Sequence, residues 1–237
     1  MNNALIFCEV IFVFTSVLLC HKFFGKAGII AWVPIATILA NIITAKNANI
    51  FGLSTAIGTV MFASTFLATD ILSECYSKKD AKKAVYLGLF ADVILICATQ
   101  IALAYIPSPF DYADGAMRTL FALNLRISIA SAVMYVIANM ADIYIFNKMR
   151  EATSGKFLWL RNNISTILCN CLENFGFIGI AFWGIYDIKT ILTIAISTSI
   201  VEAIVALLDT PFLYLAVKEN KNAKSNQNTN KSSYSET

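Results

Sequence analysis

Long hydrophobic stretches, separated by short polar segments, follow one another along nearly the whole chain. Each is as long as the roughly 17 to 25 residues that a helix needs to cross the hydrocarbon of a bilayer. The short alternating segments that are typical of a membrane β-barrel are absent. The pattern therefore predicts seven helices, at about residues 4–20, 28–45, 52–73, 84–106, 119–146, 162–185 and 190–217.

The segments between and beyond these runs suggest one domain with a tail. No Gly- or Pro-rich linker interrupts residues 1–217, which we interpret as a single transmembrane domain. Residues 218–237 are polar and are predicted to be disordered. Residues 106–117 contain two prolines and two aspartates, and predict an irregular external loop.

The first run resembles the apolar part of a signal peptide. It contains Glu9, however, and has neither a basic residue before it nor a small-residue cleavage site after it. We expect this helix to be retained.

Composition supports a membrane protein. Of the 237 residues, 58% are hydrophobic and 14% are charged, whereas soluble domains are about half apolar and about a quarter charged. The predicted fold class is all-α, a polytopic integral membrane helix bundle with about seven transmembrane helices.

The basic residues predict the orientation in the membrane. Most lie in the loops 21–27, 74–83 and 147–161 or after residue 217, which all fall on one side if the chain crosses seven times. The positive-inside rule makes that side cytoplasmic. We therefore expect a multi-pass protein of the cell membrane, with its N-terminus outside and its C-terminus in the cytoplasm. Its net charge of +3 then indicates contact with lipid headgroups of the bilayer rather than with nucleic acid.

No motif in the sequence calls for a metal, a cofactor or a catalytic role. Cys169 and Cys171 form a C-x-C pair, but His21 is the only histidine and no second pair with ligand spacing exists. Neither H-E-x-x-H nor G-x-S-x-G occurs. We expect no bound cofactor and no enzymatic activity, although a membrane enzyme is the competing class.

Ionisable residues within the predicted helices are candidates for function. A charge at the centre of a membrane helix costs about 2.5 to 3.5 kcal/mol on insertion scales, and such residues normally face the bundle interior. At a rise of 1.5 Å per residue, Glu173 and Glu202 each lie roughly 15 to 18 Å along the helix axis from the predicted start of the helix. The other ionisable residues within the predicted helices that we consider are Asp70, Asp92, Arg126, Asp142 and Asp209.

Two neighbouring helices carry polar stripes at helical spacing. One consists of Asn124, Ser128, Ser131, Tyr135, Asn139 and Asp142, and the other of Asn162, Thr166, Asn170, Glu173 and Asn174. For Ser128, Ser131 and Thr166, hydrogen bonding between helices is an equal alternative. For Asn170 and Glu173 together, we favour a binding site.

Two further groups leave alternatives open. Arg126 points away from the stripe on its own helix, and is expected to pair with Glu202 or Glu173, either in the site or as a structural ion pair. Asp70 and Glu74 share one helix face, where Glu74 could instead simply pair with Lys78 at i, i+4.

The chemistry of these groups suits a planar nitrogen heterocycle. A carboxylate accepts two parallel hydrogen bonds from adjacent N–H donors, and Asn amides both donate and accept. Tyr135, Phe175, Phe177 and Trp183 supply flat apolar surfaces nearby. A small heterocyclic base is therefore the expected ligand.

Four segments together resemble the queuosine precursor transporter family, also called the vitamin uptake transporter family. They are FLATDILSECYSKKDAKK, LRISIASAVMYVIANMADIYIFNKMR, WLRNNISTILCNCLENFGFIGIAFWG and LLDTPFLYLA. The resemblance covers about residues 28–217, so that the first helix looks like an addition to a six-helix core. It implies import of a 7-deazaguanine base used to make queuosine in tRNA: 7-cyano-7-deazaguanine, its aminomethyl form, or queuine.

The buried polar residues, taken together with the resemblance, predict roles for individual residues. Seven of them match the family pattern: Asp70, Glu74, Arg126, Ser131, Asp142, Arg161 and Ser165. Substrate binding falls to Asn139, Asp142, Asn170, Glu173, Arg126, Ser131 and Ser165, and coupling or gating to Asp70, Glu74, Glu202 and Arg161. Asn139 and Asn170 stand where the family usually has Gln, Glu173 where it has Asp, and Glu202 where it often has Lys. The last difference reverses a charge and leaves the preferred base open, with a larger or more cationic base among the candidates.

The mode of transport is open at this stage. Asp70, Asp142 or Glu202 could couple transport to protons, and facilitated diffusion with metabolic trapping is the alternative. A membrane subunit that binds a vitamin or nucleobase and works with a separate ATPase is the second interpretation, since the chain has no P-loop motif. The spacing of Gly176, Gly179 and Gly184 permits close helix packing, which leaves a homodimer open.

Overall fold

The structure is a computed structural model that describes residues 1–121 and 125–234, without the side chains of Ser54, residues 122–126, Lys224 and residues 226–234. Its helices are α1 (Asn2–Ile43), α2 (Thr59–Cys75), α3 (Lys78–Ala104), α4 (Asp114–Phe121), α5 (Leu125–Ala152), α6 (Leu158–Phe182) and α7 (Ile188–Tyr234). Two strands, β1 (Asn47–Ile50) and β2 (Leu53–Ala56), lie between α1 and α2. The predicted all-α membrane bundle is confirmed.

Helix α1 doubles back on itself at Gly25, whose backbone angles are φ 57° and ψ −139°. Its two ends meet at the β-hairpin, where the Asn2 side chain donates to Asn49 O (3.1 Å) and the Asn3 side chain accepts from Phe51 N (2.8 Å). The first two predicted helices are therefore both present. The loop predicted at 21–27 is wrong, because helix continues on both sides of a turn at Gly25.

The hairpin corrects the sequence prediction at the start of the third run. Residues 52–73 were expected to be helical, but Leu53–Ala56 pairs with Asn47–Ile50 as an antiparallel strand, and the helix begins at Thr59. Phe51 and Gly52 both have positive φ, which is the requirement of the tight turn that joins two strands in a hairpin. A short apolar strand therefore precedes the helix within one hydrophobic run.

Helix α2 is the centre of the bundle. It packs against α1, α3, α5 and α7, and nearly all of its 17 residues are buried. Helix α3, by contrast, has few buried residues among its 27 residues. Large hydrophobic side chains such as Tyr86 and Phe90 point outward from it. Such a surface suits contact with lipid acyl chains.

Five of the described helices are long and apolar enough to span a membrane: α1, α3, α5, α6 and α7. Counting α1 twice and including the shorter α2 would give seven crossings. That count stays a prediction.

The external segment differs from expectation. Residues 106–117 were predicted to be irregular, but α4 begins at Asp114, where Asp111 Oδ1 accepts from the backbone N of Ala113 (2.6 Å) and Asp114 (3.2 Å). The fifth run begins within α4 and continues, beyond residues outside the description, into α5. Helix α7 extends to Tyr234, whereas composition predicts disorder after residue 217; the division into domain and tail stays a prediction.

The segments predicted to be cytoplasmic meet at one end of the bundle. Lys26 pairs with Asp80 (3.3 Å), His21 Nε2 lies 2.9 Å from Tyr76 Oη, and Asn220 Nδ2 donates to Cys75 O (3.2 Å). The basic loops thus share one side of the molecule. Which side of the cell membrane this is stays a prediction.

Candidate functional site

Two adjoining cavities lie in the half of the bundle remote from the basic loops. The first, of about 170 Å³, is here called the central cavity and is lined by side chains from α1, α2, α3, α5, α6 and α7. The second, of about 320 Å³, extends towards α4. They share Asn41, Thr44, Asp92, Ser131 and Phe177. Pockets for small molecules occupy about 300 to 1,000 Å³, so the two together offer room for a small ligand.

The central cavity is polar where α6 faces α7. Asn174 Nδ2 donates to Glu202 Oε2 (2.6 Å) and to Ser199 Oγ (3.3 Å). Glu173 also lines this cavity, and its Oε2 is buried with no hydrogen-bond partner in the described part of the chain. Buried polar atoms in proteins are nearly always paired. An unpaired carboxylate oxygen on a cavity wall therefore indicates a place for a ligand donor.

The opposite wall is formed by α1, α3 and α5. Asn41 Nδ2 donates to Asp92 Oδ1 (2.8 Å), which fixes this carboxylate against α1. Tyr135 lies on the same wall with its ring 6.2 Å, centre to centre, from that of Phe62. It fits there because α3 has glycine at position 88, where a Cβ would lie only 2.0 Å from the Tyr135 hydroxyl oxygen.

The wall of α1 and α3 was missed as part of the site by sequence reasoning. Asp92 was noted only as an ionisable residue within a predicted helix, and Asn41 was not singled out. Asp92 is the one charged residue of α3 after Lys83, so no stripe surrounds it. Asn41, by contrast, stands with Thr37 and Thr44 at steps of four and three, a short stripe that could have been found.

Asn139 and Asn170, predicted to orient the ligand with Glu173, line neither cavity. Both are buried in the bundle, and the side-chain Oδ1 of each lacks a partner among the described residues. Asn139 Nδ2 donates to Tyr135 O (2.9 Å). Of these three residues, only Glu173 lines the cavity, and a role in binding for the two amides stays a prediction.

Three carboxylates are buried together deeper in the bundle. Asp70 on α2, Asp142 on α5 and Asp209 on α7 are all fully buried, and Asp70 interacts electrostatically with the other two. We call them the aspartate layer.

Helix α6 supplies the polar partners of the aspartate layer. Asn162 Nδ2 donates to Asp209 Oδ1 (2.6 Å), and Thr166 Oγ1 lies 3.5 Å from Asp142 Oδ1. The carboxyl groups of Asp70 and Asp142 lie within hydrogen-bonding reach of each other, and neither oxygen of Asp70 accepts from any other described group. Ser165, predicted to bind substrate, is fully buried at this level and donates to Asn162 O (3.3 Å).

An ion cluster closes the end of the bundle that carries the basic loops. Arg161 Nη2 donates to Glu74 Oε2 (2.5 Å), and Arg150 Nε lies 3.4 Å from the same oxygen. Arg161 is 1% exposed and lies over the ring of Phe146, 5.1 Å from its centre. We call this the Glu74 cluster; it joins α2, α5 and α6.

Lys78, which the sequence offered as an alternative partner at i, i+4, does not pair with Glu74 in the described structure. Lys78 is placed over the ring of Tyr144, 5.3 Å from its centre. Glu74 is therefore engaged across helices rather than within its own helix end.

These groups form a continuous polar column through the bundle. Along α6 they follow one another from Arg161 through Thr166 and Asn170 to Glu173, a distance of about 18 Å at 1.5 Å per residue. Helices α5 and α6 pack against each other, and their predicted stripes meet at Asp142 and Thr166. The column links the Glu74 cluster, the aspartate layer and the central cavity.

The side chain of Arg126 lies outside the described part of the chain, so its predicted pairing has no structural account. The described partner of Glu202 is Asn174. Among the described residues, no group of three His, Cys, Asp or Glu side chains is arranged to hold a metal ion.

Known proteins resemble this chain over most of its length. A family described as "Putative vitamin uptake transporter" matches residues 56–216. The chain is 35% identical over 218 residues to a "Probable queuosine precursor transporter" of Bacillus subtilis (strain 168), covering 92% of this chain and 95% of the relative.

Two further relatives match more than half of the chain. A "Probable queuosine precursor transporter" of Haemophilus influenzae is 30% identical, covering 59% of this chain and 57% of the relative. A "Queuosine precursor transporter" of Escherichia coli (strain K12) is 27% identical, covering 61% and 62%. No solved structure matches the chain.

Proposed function

This chain belongs to the vitamin uptake transporter family, and we propose that it imports a queuosine precursor into the cell. The substrate would be a 7-deazaguanine base, such as the 7-cyano form, the 7-aminomethyl form or queuine, destined for tRNA modification. The three relatives named as queuosine precursor transporters support this assignment. As a multi-pass membrane protein of a transporter family, it needs a path for a small molecule across the bundle.

The unpartnered Oε2 of Glu173 in the central cavity carries the proposal. A 7-deazaguanine presents its N1–H and its exocyclic amine side by side. Two parallel hydrogen bonds from these donors match the two oxygens of a carboxylate. Phe62, Tyr135 and Phe177 line the same cavity and would supply flat surfaces for the ring.

We further propose that the base enters the central cavity from outside the cell. The cavity lies in the half of the bundle remote from the basic loops, which the positive-inside rule places in the cytoplasm. At the cytoplasmic end, the Glu74 cluster ties α2, α5 and α6 together. Release inward would require these ion pairs to separate, which gives Glu74 and Arg161 their role as a gate.

The aspartate layer is the proposed site of proton coupling. Asp70, Asp142 and Asp209 lie between the cavity and the gate, and Arg161 is the cation that acts on Asp70. Buried carboxylates of this kind form proton relays in pumps and transporters. Uptake into liposomes that ignores an imposed pH gradient would contradict this role.

Replacing Glu173 by Gln tests the binding site. The variant keeps the size of the side chain but loses the charge that would accept two N–H donors. We expect uptake to fall about 10- to 100-fold, the equivalent of a lost hydrogen bond to a buried charge. The measurement is queuosine in tRNA of bacterial cells that can neither make nor import its precursors and are fed one base at a time.

Glu151→Gln is the matched control, because Glu151 is exposed at the end of α5. Immunoblotting of the membrane fraction should show equal amounts of the wild type and both variants. Normal uptake by Glu173→Gln would rule out the proposed role of this carboxylate.

A further inference from the structure

We propose that Glu202 makes the central cavity selective for bases that carry a protonated amine on the substituent of the ring. This inference rests on the proposed function and concerns the same site. It places the aminomethyl base and queuine ahead of the cyano base, which has no amine on that substituent.

The first observation is the charge of the cavity wall. Three carboxylates line the central cavity, those of Asp92, Glu173 and Glu202, whereas its described lining includes no Lys, Arg or His. A neutral heterocycle needs one carboxylate to hold its N–H edge. This excess of carboxylates favours a ligand that brings a positive charge of its own, because an adjacent cation stabilises the ionised form of a buried carboxylate.

The second observation is the fixed position of Glu202. This residue is 8% exposed, and its Oε2 accepts from Asn174 Nδ2 at 2.6 Å. Asn174 is itself held by a hydrogen bond to Ser199 Oγ. Within the described part of the chain, Glu202 Oε1 makes no hydrogen bond, so the carboxylate is oriented and still has an oxygen available as an acceptor.

The three carboxylates differ in what they have left to offer. Asp92 is engaged with Asn41 on the same wall of the cavity, while Glu173 and Glu202 interact electrostatically with each other. An ammonium group between or beside these two glutamates would relieve their repulsion. One glutamate would then hold the ring edge and the other the charged substituent.

The chemistry of the substituent decides the selectivity. An alkyl amine has a pKa near that of Lys, about 10.4, and is protonated at neutral pH. Its N–H groups would form charge-assisted hydrogen bonds to Glu202, which are about twice as strong as neutral ones. A nitrile accepts hydrogen bonds but cannot donate them, and would leave the Glu202 carboxylate unpaired.

The test compares uptake of the aminomethyl and cyano bases, each at low concentration, in cells that can neither make nor import queuosine precursors. The strains express the wild type, Glu202→Gln, Glu202→Asp or the control Glu151→Gln. We expect the wild type and Glu151→Gln to prefer the aminomethyl base by at least about tenfold, as for a buried hydrogen-bonded charge pair. Glu202→Asp should keep this preference, and Glu202→Gln should reduce it to about one.

Each result has a distinct meaning. Equal uptake of both bases by the wild type, preference for the cyano base, or an unchanged ratio in Glu202→Gln would overturn the selectivity while leaving the proposed function intact. Failure of the wild type to take up either base, or queuine supplied in a parallel culture, with the protein present in the membrane, would overturn both. If Glu202→Gln is poorly inserted, the binding of the two bases to purified wild-type protein decides, and equal affinities would overturn the proposal.

Discussion

The buried charges of this protein differ in how well they are paired. Glu74 is held by two arginines from two other helices, whereas Glu173 Oε2 has no partner among the described residues. Breaking a buried ion pair by removing one partner costs about 3 to 5 kcal/mol. The paired charges should therefore matter for stability, and the unpaired ones for the ligand.

Breaking the Glu74 cluster should destabilise the protein more than breaking a surface ion pair. Glu74→Ala leaves Arg161, which is 1% exposed, without its carboxylate, so we expect a loss of about 3 to 5 kcal/mol. The matched control is Lys26→Ala, which breaks the ion pair with Asp80 but leaves no buried charge without a partner. This substitution should cost less than about 1 kcal/mol. Thermal unfolding of the purified proteins in detergent would show the difference, and equal melting temperatures would contradict it.

Some of the residues that line the cavities could be predicted from the sequence. Spacing on α5 and α6 was enough to identify Glu173 and Ser131, both of which line a cavity. It could not separate these from Asn139 and Asn170, because helical periodicity gives the face of a residue and not whether space remains in front of it. Packing decides that, and packing depends on residues such as Gly88 on a third helix.

The sharp reversal within α1 depends on one residue. Gly25 has φ 57° and ψ −139°, a combination that residues with a Cβ avoid. Space is not the obstacle, since an added Cβ would find only Tyr76 Oη at 3.8 Å. The constraint is therefore conformational.

Gly25→Ala is expected to destabilise the protein by about 1 to 2 kcal/mol, the cost of holding a non-glycine residue in such a conformation. Gly115→Ala in α4 is the control, because nothing lies within 4 Å of the Cβ that it would add; it should be neutral or slightly stabilising. Thermal unfolding in detergent would again be measured. A melting temperature for Gly25→Ala equal to that of the wild type would contradict the conformational role of Gly25.

Helices were easier to predict than the joints between them. Hydropathy was sufficient for the long runs, but residues 53–56 and 59–75 belong to one hydrophobic stretch that divides into a strand and a helix. A short apolar segment does not reveal which of the two it forms. The signal was the Phe51-Gly52 turn, where Gly supports the positive φ of a tight hairpin.

The whole molecule is asymmetric along the bundle axis. The basic loops and the Glu74 cluster lie at one end, and the cavities in the other half, with the aspartate layer between them. The distribution of Lys and Arg predicted which loops share a side. The central place of α2 could not be predicted, because hydropathy identifies spanning segments but not which of them are neighbours.

The central claim is that this chain alone carries a 7-deazaguanine base across a membrane. It would be tested most directly with the purified protein in liposomes free of ATP, by following uptake of the labelled aminomethyl base with and without a pH gradient that is acidic outside. We expect uptake in wild-type liposomes, faster accumulation with the gradient, and loss of that acceleration in Asp142→Asn. Binding of the base without any uptake would contradict the claim, and would instead indicate a binding subunit that needs a separate ATPase.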